Sequence, residues 1–331
     1  MRTPLPWSQT LDSAGIVDPL LRRDYTWCAH YSRRRDLPLH LALRIITPAR
    51  IQPQVLAGAA FFGYTDDLAE RPPTRFSRAR LDDWVASTAR SIESGKSSHP
   101  LIRAYLHAAA TRRLSHDWPL GLLRSTESEF DFRGFADDQA ISDYVESYTL
   151  PGGMCCVGML YEGGPEKDSL RFWRHFAQFT QRVDFLADLS SDMQNGRLNL
   201  AYDSLQRHGV TWQDLWEQRD TPGIRKMLEE TYDRASEAGE LARASLESER
   251  RGIRFGLGII LDLLGHMLED AHCGFSSVLK KPIAFPVLAL PRAVVSSGRN
   301  VGFPGLRIGN FLRGSSLELR HEFNARSRSQ L

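Results

Sequence analysis

Asp184, Asp188 and Asp192 stand at i, i+4 and i+8 in a segment whose other residues, Val183, Phe185, Leu186 and Leu189, are apolar at helical spacing. Four residues of α-helix turn by about 400° and rise about 6 Å, so the three carboxylates line one stripe, each within reach of a shared hard cation. Like charges at this spacing destabilise a helix by roughly a few tenths of a kcal/mol per pair, and a positive partner is expected to offset that. Magnesium suits the role: it takes carboxylate oxygens in octahedral geometry, keeps several waters and bridges to substrate phosphates. A second acidic set, Asp66, Asp67 and Glu70, follows the apolar approach Ala57–Phe62 and again contains an i, i+4 pair. On facing helices, two such stripes would hold ions between them, bind a diphosphate and neutralise it as it leaves. Apolar helices around them would keep water from a carbocation. Taken alone, Asp66, Asp67 and Glu70 read equally well as a solvated helix end, and Asp82-Asp83 reads as a surface feature.

The elements that must position these acids are helical. Apolar periodicity predicts helices over 54–70, 80–91, 100–114, 137–161, 170–194, 222–246 and 250–271. Pro151-Gly152-Gly153 interrupts the fourth, where a proline followed by two glycines should kink it. Strand signals are scarce, no repeat is present and no low-complexity linker divides the chain. The pattern predicts an all-α fold: an N-terminal arm over 1–20, one helical domain over 21–280, and a Pro/Gly-broken, basic tail over 281–331. Within the tail, 282–295 is apolar but broken by Pro282, Pro286 and Pro291. It is expected to pack irregularly, and it could also touch a membrane surface.

Composition sets further bounds. The 331 residues carry 42 Lys+Arg against 40 Asp+Glu, so no global field for nucleic acid is implied. Arg33-Arg34-Arg35 is expected to cap or flank a helix, and the final Arg-Ser-Arg-Ser run to be a disordered tail. Cys28, Cys155, Cys156 and Cys273 form no zinc spacing, and Cys155 and Cys156 fit as small buried hydrophobes of a reduced, cytoplasmic protein. The N-terminus lacks the apolar region of a signal peptide, and no run of about eighteen apolar residues predicts a spanning helix.

The run Asp188-x3-Asp192-x2-Asn-Gly196-Arg197-Leu-x-Leu200, followed by Leu205 and His208-Gly209-Val210, resembles the second aspartate-rich motif of the squalene/phytoene synthase family. Members there read roughly Q-x-x-N-I-L-R-D-x-x-x-D-x-x-x-G-R-x-Y-L-P, with Gln181 on the glutamine and Gly196-Arg197 on the G-R pair. Phe62–Glu70 resembles the first motif, R-x-x-D-D-x-x-D. Tyr25-x2-Cys28, Leu43–Pro48, Leu81–Trp84, His99-Pro100 and the kinked helix with Tyr144, Tyr148 and Val157-Gly158 also fit. The resemblance covers about residues 20–280.

What the resemblance implies is an isoprenoid-synthase bundle with a central apolar cavity, acting on farnesyl or geranylgeranyl diphosphate with two or three Mg²⁺ ions. Two substrates would be joined head-to-head, with loss of diphosphate, to a squalene- or phytoene-type product. Asp66, Asp67, Glu70, Asp184, Asp188 and Asp192 would hold metal. Gln181, Arg197, Arg44 and Arg50 would contact substrate, with Arg182 as a further candidate cation, and Tyr144 or Tyr148 would face the carbocation. Phe61, Phe62, Met154 and Met159 are candidates for the pocket floor. NADPH for a reductive second step stays open, although no G-x-G-x-x-G after a strand supports it. The departures are specific. The arginine three residues before the first aspartate is Gly63, the asparagine four before Asp188 is Asp184, and the arginine just before Asp188 is Ala187. Leu37-Pro38-Leu39-His40 replaces a serine-aromatic-tyrosine signature, and Ala201 replaces a proline. Several lost groups would grip diphosphate, which Arg does bidentately. Two alternatives therefore stand beside head-to-head condensation: a single-substrate terpene synthase, and a non-catalytic binding or assembly protein.

Overall fold

The computed structural model describes residues 5–70 and 74–301. Its helices are α1 (Trp7–Ser13), α2 (Pro19–Arg35), α3 (Leu37–Ile46), α4 (Gln52–Ala69), α5 (Arg75–Ser94), α6 (Pro100–Arg112), α7 (Asp117–Phe130), α8 (Asp138–Tyr144) and α9 (Leu150–Val157). There follow α10 (Lys167–Ala187), α11 (Leu189–Gln194), α12 (Tyr202–Arg207), α13 (Trp212–Trp216), α14 (Pro222–Ser245), α15 (Arg251–Cys273), α16 (Phe275–Val278) and α17 (Leu290–Asn300). No strand occurs among the described residues; one isolated bridge pairs Phe135 with Ala201. The all-α expectation holds.

The described parts of the two flanking segments, 5–20 and 281–301, contain helices that pack on the core. In the segment set apart as an arm, α1 buries Leu11, and Ile16 joins it in the core. In the segment expected to be irregular, α17 packs Ala293 and Val294 against Phe255, Ile259 and Leu263 of α15. Pro291 lies in the first turn of α17, where a missing N–H is harmless, so a residue read as a breaker begins a helix. The final Arg-Ser-Arg-Ser run lies outside the described residues.

Helix α4 is apolar almost all round and runs through the middle of the N-terminal half, packed on α2, α6 and α9. Its approach to α9 is backbone-close: a Cβ on Gly58 would lie 2.0 Å from the Cys155 carbonyl oxygen. Cys155 and Cys156 are buried free thiols, as expected; Cys28 is buried as well, and Cys273 is exposed. Asp82 and Asp83 are exposed. In the other half, α10 pairs with α14 and α15 around Phe172, Phe179, Val183 and Leu261.

The expected kink is a π-helical turn, Val145–Thr149, between α8 and α9. Pro151 cannot donate to the Ser147 carbonyl, and the Ser125 hydroxyl takes that acceptor at 2.6 Å. The bulge turns Tyr148 inward. The long helix expected over 170–194 is also divided. It breaks at Asp188 (φ −100°, ψ 6°), yet Asp188 N donates to Asp184 O and Asp192 N to Asp188 O, each at 2.9 Å. The three-aspartate stripe survives the break.

Candidate active site

The last turn of α4 delivers Asp66 and Asp67, with Glu70 capping the helix. Asp66 accepts from the Tyr148 hydroxyl at 2.7 Å and from Arg35 Nη2 at 2.6 Å. Asp67 accepts from Arg35 Nε at 2.8 Å and from the Tyr31 hydroxyl. Both partners on α2 come from its C-terminal half. Arg33, Arg34 and Arg35 together complement the negative end of that helix dipole, as a flanking run should. Arg35 does more than flank. It passes over Gly63, where a Cβ would sit 2.9 Å from Arg35 Cδ.

Opposite lies the stripe on α10 and α11. Gln181 accepts from Thr149 Oγ1 at 2.8 Å and holds its amide 3.4 Å from Asp184 Oδ2. Asp192 accepts from Asn199 Nδ2 at 2.6 Å. Gly196, at φ +77°, reverses the chain after α11. That turn lets Arg197 N close onto Asp192 O at 2.8 Å while its side chain reaches Glu129, at the end of α7, at 2.6 Å. The Arg197 guanidinium also lies over the Phe132 ring, 4.6 Å from its centroid. Tyr144 and Tyr148 stack with centroids 5.4 Å apart, and the Tyr144 hydroxyl bonds to Glu129.

The two acidic sets share one electrostatic field. Burial, with Asp188, Asp192 and Asp66 in turn, pushes the Asp184 carboxyl up to about 7, against a smaller pull from Arg35. Burial, with Asp66 and Glu129, pushes Glu70 up to about 8, against Arg197 and Arg35. Asp184 and Glu70 both touch solvent, so they sit in a cleft walled by protein rather than in the dry core. Burial raises Asp66, Asp188, Asp192 and Glu129 as well. Two arginines, Arg35 and Arg197, face six carboxylates with raised protonation and Asp67 besides.

That surplus of negative charge, on oxygen donors alone, fits a hard divalent cation. Among the described residues no three acidic, His or Cys side chains are gathered closely enough to hold an ion as they stand. Asp66 and Asp67 are turned onto Arg35 instead. Asp184, Asp188 and Asp192 make fewer competing bonds, and with Glu70 they are the oxygens best placed to hold such an ion.

Three expected cations are elsewhere. Arg44 donates to Leu5 O at 2.6 Å and stacks on Trp7. Arg50 is exposed on the turn before α4, roughly 20 Å along that helix from Asp66 at 1.5 Å per residue. Both are corrections: helix α4 separates its two ends, and proximity in sequence to the first motif misled. Arg182 is buried in a bidentate pair with Asp138, at 2.5 and 3.1 Å, on the far side of α10. Among the candidate floor residues, Phe61, Met154 and Met159 are fully buried, and Phe62 lies over Gly152 and edge-on to Tyr148. Sequence reasoning missed Arg35, Tyr31, Glu129 and Asn199 as site residues. Asn199 occupies an unspecified position of the second motif and the other three lie outside both motifs; only Gly63, a missing side chain, hinted that another element must fill that space.

No helix among the described residues is long and apolar enough to cross a membrane. The chain is 27% identical over 205 residues to the bifunctional protein CrtB/UppS of Streptomyces coelicolor, covering 61% of this chain and 35% of that protein. It thus spans about a third of that curated relative's length. Its fold matches squalene synthase HpnC from Alicyclobacillus acidocaldarius with a TM-score of 0.71 at 20% identity, over 82% of this chain and 99% of the other. A dehydrosqualene synthase in complex with ligand matches with a TM-score of 0.73 at 16% identity, over 85% and 98%. The squalene/phytoene synthase family model matches residues 33–272, most of the chain and both acidic sets, and the protein belongs to that family of isoprenyl diphosphate-processing enzymes.

Proposed function

We propose that this protein is a Mg²⁺-dependent enzyme that ionises allylic prenyl diphosphates, farnesyl or geranylgeranyl, and joins two of them head-to-head. The observation that carries this is the shared field of the two acidic sets, in which Asp66 on α4, with Asp188 and Asp192, raises the proton affinity of Asp184 on α10 across one cleft. Bound Mg²⁺ would supply the positive charge that the diphosphate and these carboxylates both lack. Asp188, Asp192, Asp184 and Glu70 would hold it, with Asp66 and Asp67 joining on release from Arg35. Heterolysis of the allylic C–O bond leaves the electron pair on the diphosphate and a cation on the hydrocarbon. The stacked Tyr144 and Tyr148 offer that cation their ring faces. Burial keeps both hydroxyls protonated, so neither phenol is a ready nucleophile to trap it. Attack of the second substrate's double bond forms the C–C bond, and loss of a proton leaves a cyclopropylcarbinyl diphosphate; departure of its remaining diphosphate and loss of a second proton would give the hydrocarbon. The shared fold of a squalene synthase and a dehydrosqualene synthase supports two substrates rather than one.

One observation favours the single-substrate reading: Asp184 places a third carboxylate where the family has asparagine. Incubation with each prenyl diphosphate and Mg²⁺, followed by mass analysis of the extract, separates the readings. A C30 or C40 hydrocarbon supports head-to-head condensation, a C15 or C20 product the single-substrate reaction, and intact substrate a non-catalytic protein. Asp188→Ala should abolish turnover under either enzymatic reading; full activity in that variant would sink the site assignment.

A further inference from the structure

We propose that Arg35, reaching over from α2, is the diphosphate-binding cation of the first acidic motif, in place of the arginine the family carries where this chain has Gly63. The inference rests on the prenyl diphosphate reading above and adds the residue that grips the anion. Three observations converge on it. The first is competition for one space. A Cβ at position 63 would lie 2.9 Å from Arg35 Cδ and 3.2 Å from both Nε and Nη1, so a side chain there would push Arg35 off its observed course, and a long one would take its place. The loss at 63 and the presence at 35 are one substitution carried out through space.

The second is orientation. Nε donates to Asp67 and Nη2 to Asp66, so both acids of the motif clamp one guanidinium and fix its plane. Those two bonds use two of its five N–H donors, and the rest are available to an anion. The third is access. Arg35 and Asp67 line an open cleft of about 520 Å³ with Arg34, Asp36, Leu37 and Pro38, and the Arg35 side chain keeps 31% of its surface exposed. A guanidinium that served only to neutralise Asp66 and Asp67 would not need to face that space. With Asp66 and Asp67 engaged by cations, the Arg35 fork would be free to turn from oxygen of the protein to oxygen of the diphosphate, with no change in its own charge.

Titration calorimetry with inorganic pyrophosphate in Mg²⁺ tests the assignment on four proteins: wild type, Arg35→Ala, Gly63→Ala and the relocated double variant Arg35→Ala/Gly63→Arg. Loss of a charge-assisted contact predicts pyrophosphate affinity lower by about 10- to 100-fold in Arg35→Ala. In turnover, KM should rise more than kcat falls. Gly63→Ala keeps every charge but pushes Arg35 off its path, and should weaken binding in the same direction; it carries the test if Arg35→Ala does not melt cooperatively. Moving the arginine to 63 should restore most of the affinity, which a purely structural role for Arg35 would not predict. Pyrophosphate binding that is lost in Asp188→Ala yet unchanged in both Arg35→Ala and Gly63→Ala overturns the arginine assignment alone. A wild-type protein that binds no pyrophosphate and turns over no prenyl diphosphate overturns both this and the function it rests on.

Discussion

Replacing Asp184 by asparagine should stabilise the metal-free protein at pH 8 and leave it unchanged near pH 4. The Asp184 carboxyl is pushed up to about 7 by burial and by Asp188, Asp192 and Asp66. In the unfolded chain it returns to the ordinary aspartate value near 4. The folded state therefore binds the extra proton between these values, and stability falls as pH rises through that window. Realised in full, three pH units would correspond to about 4 kcal/mol. Asp184 touches water, and solvent screening reduces that to about 1–2 kcal/mol. Asparagine keeps the shape and removes the charge, so thermal unfolding without divalent ions should show a rise of about 1–3 °C at pH 8 and none at pH 4. Added Mg²⁺ should raise the wild-type midpoint more than the variant's, because the ion relieves the repulsion that the substitution has already removed. A variant no more stable than wild type at pH 8, or equally stabilised at both pH values, would refute the shared field on which the metal site rests.

Arg197→Ala strands Glu129, whose side chain is 1% exposed, without its cation. It should destabilise by about 3–5 kcal/mol at pH 8 in denaturant unfolding, and by less at pH 5, where the already raised Glu129 carboxyl takes a proton. Tyr148→Phe removes the hydroxyl that donates to Asp66 at 2.7 Å; a loss of about 1–3 kcal/mol is expected, and an unchanged melting point would show that water replaces it. Gly58→Ala sets a methyl 2.0 Å from the Cys155 carbonyl oxygen and must force α4 and α9 apart, so soluble yield or cooperative melting should be lost. Normal melting in that variant would mean the two helices are less tightly joined than described.

Periodicity found the helices that bury one face, α4 and α6 among them, and it missed α2, α3 and α7. The pattern over α10, α14 and α15 is strong because each shows an apolar stripe to the others. Helices α2 and α3 carry their signals in caps and charge instead: Asp18 before Pro19, Asp36 accepting from Leu39 N, arginines in a last turn. Prolines misled in both directions. Pro291 starts a helix, and the Pro151 kink is moved into a π-turn because Ser125 satisfies the carbonyl that proline abandons.

The acids of the site were legible and its cations were not, for a physical reason. A metal-binding carboxylate must repeat at helical spacing to share one ion with its neighbour, so Asp184, Asp188 and Asp192 leave a period in the sequence. A cation that answers them needs only to reach, and a long flexible side chain can do so from any helix that passes nearby. Arg44 and Arg50 are near the first motif in sequence and lie toward the other end of α4; Arg35 is thirty-one residues from Asp66 and lies 2.6 Å from it. The readable trace of Arg35 is the absence it requires at Gly63. In a fold whose charges must balance across facing helices, a glycine where a motif demands arginine marks the space into which the replacement points.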